Sequence, residues 1–234
     1  MRRSVLFQLL LLALLAGCAP PHRAPPAPLQ EALPCPSGPE MRTLDPTASE
    51  LIALVRRAGP LAELGHDHVV AAGRLEGCLH WPEEPADRWV RLRFPLAAAA
   101  VDEPRLRARF GVTRTVSRAD ADATQANLLR WLNAAAHPWV EVEGRPAGEA
   151  VELHIRLAGR EARLRIAPRI REEGDELTAA GRAILRLSAF ELAPFTALGG
   201  LLRVADEVEI HFTLRFAPPP HSHSMVAGGL PETS

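Results

Sequence analysis

The 234-residue sequence contains no lysine and no tyrosine, so arginine and histidine carry all of its basic side chains. Net charge is almost absent too, at a formal −1 with a sequence pI near 6.8. Nucleic-acid-binding domains carry a basic patch and a high pI, so this composition gives no support for binding DNA or RNA. The apolar run at residues 5–16 is too short to span a bilayer, which needs about 20 residues.

The first residues are organised like an export signal. Arg2 and Arg3 precede the apolar run, and small residues follow it. This pattern predicts a secretory signal peptide over residues 1–17. The letters LLAGC resemble the lipobox of bacterial lipoproteins, so Cys18 is the expected acylated membrane anchor. Ala19 at the next position favours the outer membrane by the sorting rules of such lipoproteins, with the protein facing the periplasm of the cell envelope.

The two ends of the exported chain lack any apolar period. Residues 18–42 are rich in proline and alanine, which predicts a semi-stiff tether carrying the lipid anchor. Residues 218–234 are typical of a disordered tail, and the histidines in that tail are interpreted as solvated. One domain, residues 43–217, remains between the two ends.

Within that domain, apolar and polar residues alternate. In EARLRIAPRIR, for example, Leu164 and Ile166 fall on one face while Arg163 and Arg165 fall on the other. Such alternation indicates strands that are buried on one side and wet on the other. Short turns between the later segments predict antiparallel hairpins. The eight predicted strands lie near residues 49–57, 67–79, 88–97, 138–144, 149–158, 160–171, 176–188 and 206–216.

The segment SRADADATQANLLRWLNAAAHP, residues 117–138, breaks this alternation. Its acidic start and its closing proline predict one helix of roughly 15 residues. Eight antiparallel strands form either a sandwich or a barrel, and a barrel of that size is filled by side chains or holds one small ligand.

Alternation also predicts which side chains face the interior and which face water. The side chains expected to line a cavity and contact a ligand are Leu92, Phe94, Leu164, Ile166, Ile210 and Phe212. The side chains expected to face water are Arg91, Arg93, Arg163 and Arg165.

Three segments, in order along the chain, resemble the YceI-like family. They are LDPTASELIALVRRAGPLAELGHDHVV, TQANLLRWLNAAAHPWVEVEG and LRLSAFELAPFTALGGLLRVADEVEIHFTLRF, and together they span about residues 43–217. The resemblance implies an all-β fold with one helix, an eight-stranded antiparallel lipocalin-like β-barrel. It also implies an elongated apolar cavity that binds a polyisoprenoid lipid or a quinone, with no other cofactor.

His66 and His68 flank an aspartate, and three interpretations of them stay open. Residues i and i+2 of a strand share a face, so both side chains can form a polar cluster at the barrel rim that positions a ligand headgroup. They can also belong to a purely structural turn, or to a metal site, although two imidazoles are few for zinc. If Val69 faces the interior, His68 faces outward unless a bulge near Gly65 reverses the order.

No cluster of residues meets the requirements of a catalytic site, so the protein is not expected to be an enzyme. The leading hypothesis is a tethered binding protein that sequesters or carries an isoprenoid-type lipid or quinone in the periplasm. The rival is a structural or interaction lipoprotein whose barrel is filled by its own side chains, and a histidine-based metal-binding module is a third possibility. The sequence names no protein partner.

Cys35 and Cys78 are the two cysteines left once Cys18 is acylated. Disulfides persist in an oxidising compartment, so a bond between them is a hypothesis, with two free thiols as the alternative. Cys78 has the parity of Arg74 and Glu76, which places its side chain on the outer face of the barrel.

Overall fold

The structure, a computed structural model, describes residues 33–218. The predicted signal peptide, Cys18, most of the predicted tether and nearly all of the predicted tail lie outside the described residues. Within the described range, no helix has both the length and the apolar character needed to cross a bilayer.

Thirteen strands and two α-helices make up most of this range, and all strand pairings are antiparallel. The strands are β1 (Met41–Leu44), β2 (Glu50–Ala58), β3 (His68–Ala71), β4 (Glu76–His80), β5 (Trp89–Pro95), β6 (Ala100–Val101), β7 (Trp139–Ala147), β8 (Ala150–Leu157), β9 (Arg160–Ile166), β10 (Arg169–Glu173), β11 (Glu176–Arg186), β12 (Thr196–Ala197) and β13 (Leu202–Ala217). The helices are α1 (Pro104–Arg109) and α2 (Arg118–Trp131).

Helix α2 is the helix that the sequence predicts, and its first turn explains where it begins. The Ser117 hydroxyl accepts a hydrogen bond from the Asp120 N–H at 3.1 Å, which is a typical N-cap. Helix α1 is not predicted by the alternation pattern. It begins at Pro104, a residue whose fixed φ suits the first helical position.

Four pairs of consecutive strands each form one longer strand that a bend interrupts. These pairs are β1–β2, β3–β4, β5–β6 and β9–β10. Counted through these bends, eight strands form the wall, each paired with the next, and β13 pairs back to β1 and β2. The fold is therefore the predicted antiparallel, lipocalin-like barrel of eight strands.

The hydrogen-bonded sheet is nevertheless not closed. Strand β9 pairs only with β8, and β10 pairs only with β11, so the chain itself makes the connection through Ala167 and Pro168. Proline has no N–H to donate to a neighbouring strand, which suits a position where pairing changes sides. Among the described residues no strand pairing joins β9 to β11. We call this gap the seam.

Two apolar clusters occupy the inner side of the wall. Leu128, Leu129 and Trp131 of α2 pack against the first cluster, so this helix covers one end of the barrel. The buried members of the first cluster are Leu96, Leu132, Val140, Ile155, Leu157, Ala162 and Phe190. The buried members of the second are Leu44, Leu75, Leu79, Leu177, Leu214 and Phe216.

A third cluster lies outside the wall, and it corrects one prediction. Val69 pairs with Leu54, and both pack against Leu106 of α1 rather than lining the interior. The alternation changes phase between β3 and β4, where Arg74 has a positive φ of 53°. The predicted inward orientation of Val69 is therefore wrong. Val69 is buried on the outer face instead, because α1 covers that face with apolar side chains.

Cys35 and Cys78 form a disulfide, with Cα atoms 5.7 Å apart. Cys78 pairs with Arg91 on the outer row of β4, where alternation places it, yet it is fully buried under the preceding chain. Strand β1 begins at Met41, and the Leu33 N–H donates to the Glu76 carboxylate at 2.8 Å. The last residues of the predicted tether are therefore fastened to the wall of the barrel, through Leu33 and Cys35.

Arg93 corrects a second prediction. It lies on the outer row opposite Glu76, but only 7% of it is exposed. Its Nε donates to the Glu76 carboxylate at 2.8 Å, and its guanidinium lies 4.3 Å from the centre of the Trp139 ring. The same carboxylate receives the Leu33 N–H, so the N-terminal segment and the Trp139 ring shield Arg93 from water.

Candidate ligand-binding site

The interior of the barrel contains a cavity of about 210 Å³ whose lining side chains are all aliphatic or aromatic. Phe212 of β13 forms part of this lining, and its ring lies against Gly181 of β11. A Cβ added to Gly181 would lie 2.9 Å from the ring, so the missing side chain makes room for Phe212. Ligand pockets usually measure roughly 300–1,000 Å³, so this space suits a slim chain better than a bulky ring system.

The structure brings the six predicted apolar residues together around this single cavity. They are Leu92, Phe94, Leu164, Ile166, Ile210 and Phe212. Of the four arginines expected to face water, Arg91, Arg163 and Arg165 are exposed. The alternation pattern thus places these side chains correctly, whereas their contact with a ligand stays a prediction.

His66 and His68 are not part of the cavity lining. They belong to a separate polar cluster, which we define as His66, His68, Asp102, Arg107 and Arg114. The His68 Nδ1 lies 2.7 Å from the Asp102 Oδ2, and the two histidine rings meet edge to face with centroids 4.5 Å apart.

Asp102 is the centre of the polar cluster, and its side chain has no solvent exposure. Its Oδ1 accepts hydrogen bonds from the Val69 N–H at 3.0 Å and from the Arg107 guanidinium at 2.6 Å. Asp102 directly follows β6 and has a positive φ of 57°, a conformation that aspartate tolerates better than most residues. The carboxylate therefore fixes both the orientation of His68 and the position of Arg107.

The arginines of the polar cluster also hold the preceding loop. Arg107 donates to the Asp67 carbonyl at 2.9 Å and to the Arg114 carbonyl. Arg114 donates to the Gly65 carbonyl at 2.7 Å. The polar cluster thus has a structural component, because it fastens the residues around His66 to α1 and to the segment that follows it.

Two pKa shifts describe the electrostatics of the polar cluster. Burial by itself would raise the pKa of Asp102, but the hydrogen bonds from His68 and the Val69 N–H, together with Arg107, hold that pKa below its ordinary value. Burial, and next the charge of His68, lowers the pKa of His66, although Asp102 opposes this. Asp102 is therefore ionised and His66 neutral at pH 7.

One atom of the polar cluster lacks a partner. The His66 Nε2 is buried and forms no hydrogen bond within the described part of the chain. Leaving a buried polar group unsatisfied costs about 1–3 kcal/mol, and such groups in native structures call for an explanation. A ligand group bound next to His66 would remove that cost.

The strand register relates the polar cluster to the cavity. His68 pairs with Val55, which pairs with Val208, and Val208 is two residues from the cavity-lining Ile210. Residues i and i+2 share a face, so His68 belongs to the inward row, about 7 Å along the strands and about 10 Å across them from Ile210. The outward orientation expected for His68 from the parity of Val69 is wrong.

A metal ion is the other ligand that these side chains suggest. One ligand atom each from His66, His68 and Asp102 lies within 4.8 Å of the other two. Both carboxylate oxygens of Asp102 already accept hydrogen bonds, however, and Arg107 and Arg114 add positive charge beside the histidines. This arrangement favours hydrogen bonding to a ligand over coordination of a cation.

Sequence reasoning missed Asp102, Arg107 and Arg114. Asp102 lies 34 residues from His68 along the chain, so no short motif connects them. The only local signal is the Glu-Pro pair after Asp102, which is typical of a helix start.

The comparisons with known proteins support the fold and nothing finer. No family model and no curated protein matches the chain. The crystal structure of BcnA from Burkholderia cenocepacia is similar, with a TM-score of 0.51 and 15% sequence identity. The alignment covers 74% of this chain and 98% of that chain, so BcnA has the same barrel architecture over almost its whole length.

Proposed function

We propose that this protein is a periplasmic binding protein that takes the apolar chain of an isoprenoid-type lipid or quinone into its barrel. The observation that carries the proposal is the cavity, because its lining side chains are all aliphatic or aromatic. Each 100 Å² of lipid surface removed from water there contributes about 2.5 kcal/mol. In this proposal the acylated Cys18 tethers the barrel to the outer membrane, and the protein carries or sequesters lipid rather than transforming it.

The polar cluster is proposed to hold the headgroup. His68 lies on the inward row beyond Ile210, and His66 has an unpartnered ring nitrogen. A neutral imidazole can donate from one nitrogen and accept at the other, so the unpartnered His66 Nε2 matches a carbonyl or hydroxyl oxygen. A lipid with an apolar tail and one oxygen-bearing head therefore fits the cavity and the polar cluster together.

The test is organic extraction of the purified full chain followed by mass spectrometry, and then uptake of added polyprenol or quinone. Ala183→Phe should block uptake, because Ala183 lines the cavity and a phenyl ring would occupy much of the space. Ala180→Phe is the matched control, since Ala180 pairs with Thr213 on the outer face of the same strand. Equal uptake by both variants, each checked for folding, would exclude the cavity as the binding site.

The rival function is that of a structural or interaction lipoprotein with a filled barrel. The small size of the cavity and the large rings of Trp81, Phe94 and Phe216 on its lining favour it. A lipid-free extract together with no uptake would support this rival. Stoichiometric zinc or copper in elemental analysis would instead support the metal-binding alternative.

A further inference from the structure

The wall on either side of the seam carries an unusual distribution of charge. We call this surface, the outward sides of β9, β10 and β11, the seam face. The outward positions of these strands carry six arginines against three glutamates, Glu161, Glu173 and Glu176. The arginines are Arg163, Arg165, Arg169, Arg171, Arg182 and Arg186.

Ion pairs neutralise part of this charge, and they include Arg163 with Glu152 at 3.8 Å and Arg171 with Glu173 at 3.7 Å. The shortest of the ion pairs joins Arg186 to Glu207 at 2.9 Å, whereas Arg182 lies 3.9 Å from Glu209. Arg165 donates to the Ala147 carbonyl instead, and Arg169 has no acidic partner among the described residues. The seam face therefore keeps surplus positive charge, although the whole chain is nearly neutral.

Apolar side chains are exposed on both sides of this charge. Ile184 is 48% exposed and pairs with Glu209 on the outer row of the wall. Ile170 is 42% exposed although it also lines the cavity. Solvent thus reaches the apolar lining of the cavity beside the bend at Pro168.

A groove crosses the outer wall at the same bend. It has a volume of about 460 Å³, and its lining includes the side chains of Arg109, Arg169 and Arg182. Arg109 pairs with Glu50 at 2.7 Å, so Arg169 and Arg182 are the more available cations. Guanidinium groups suit phosphate because their planar fork donates two parallel hydrogen bonds.

We propose that the seam face docks on a bilayer that contains anionic phospholipid. The arginines contact lipid phosphates, Ile184 and Ile170 enter the interface, and the seam becomes the route by which a lipid chain passes between bilayer and cavity. The docking surface stands on charge and exposure alone, whereas its use as an entry route rests on the proposed lipid-binding function.

The experiment is flotation with phosphatidylcholine vesicles, with and without phosphatidylglycerol, of the full chain carrying Cys18→Ser. That change removes any acyl anchor from the comparison. Seam variants carry Arg165→Gln, Arg169→Gln and Arg182→Gln together. Matched controls lose three exposed arginines elsewhere, at Arg91, Arg105 and Arg145, with the same change in net charge.

The parent chain should bind the anionic vesicles, and the seam variant should bind them about 100-fold more weakly, because each of the three arginines near an anionic surface contributes about a fivefold factor. The control variant should stay within a few-fold of the parent. Raising the ionic strength from about 0.1 to 1 M should abolish binding, since the screening length falls from about 10 to 3 Å.

Equal binding by the seam and control variants would overturn the proposal, and so would displacement of the vesicles by inorganic phosphate at constant ionic strength. Uptake of detergent-dispersed polyprenol is measured in parallel and should be equal in parent and seam variant. A chain that floats with vesicles but takes up no lipid refutes the proposed function while leaving the docking surface in place.

Discussion

Replacing Asp102 by asparagine should destabilise the protein by about 3–5 kcal/mol, the cost of breaking a buried ion pair by removing one partner. Asparagine keeps the shape of the side chain but removes its charge. Arg107 is only 6% exposed, so its guanidinium would remain buried without a counter-charge. Small domains are stable by about 5–15 kcal/mol, so the loss is a large part of the total.

Urea unfolding measures the loss of stability, and a double-mutant cycle with Arg107→Met shows whether that loss comes from the uncompensated charge of Arg107. Arg107→Met removes the buried cation, so adding Asp102→Asn to it should cost much less than Asp102→Asn alone. A cost below about 1 kcal/mol for the single Asp102→Asn change, as for exposed ion pairs, would refute this account of the polar cluster.

The pH dependence of stability gives a second readout of the same carboxylate. The pKa of Asp102 is lowered in the folded state despite burial, because His68, the Val69 N–H and Arg107 favour the charged form. The unfolded chain then binds more protons near the ordinary aspartate pKa of about 3.9, so stability is lost as the pH falls through and below that value. Asp102→Asn should remove this part of the acid sensitivity.

Three further predictions concern other parts of the chain. The pKa of His66 is lowered by burial and by His68, so stability should fall as the pH drops below about 6.5. Urea unfolding at several pH values should show that His66→Asn loses this part of the pH dependence. Cys35→Ala should lower the free energy of unfolding by about 4 kcal/mol, because the disulfide to Cys78 closes a loop with a sequence separation of 43. Equal urea midpoints with and without the disulfide would contradict this. Cys18→Ser should release a folded protein from membranes on fractionation, because several acyl chains anchor a lipoprotein stably. A variant that still fractionates with membranes as an integral lipoprotein would disprove the proposed anchor.

Alternation along the strands was enough to predict the wall of the barrel and its lining. Leu164 and Ile166 alternate with Arg163 and Arg165 along one strand. Because side chains of a strand point alternately to its two faces, all the apolar ones fall on the same face, and that face is the inner one. The same reasoning correctly predicted that the Cys78 side chain lies on the outer face of the barrel wall.

The reasoning failed where the chain bends or where something covers the outer face. The phase change near Arg74 reversed the orientations expected for His68 and Val69, and α1 buried the outer side of β3. Trp139 and the segment at Leu33 likewise buried Arg93. These contacts join residues far apart in the sequence, so a local pattern carries no information about them.

The seam also bears on how copies of this protein behave toward one another. Strand β9 and residues 181–186 of β11 each have an edge without a strand partner in the described chain. An unpaired edge is a template on which a second copy can add its own strand. Arg182 and Arg186 protrude beside that edge, so two copies approaching edge to edge would bring like charges together. We therefore expect these arginines to oppose edge-to-edge self-association, and replacing them should make association through the unpaired part of β11 easier.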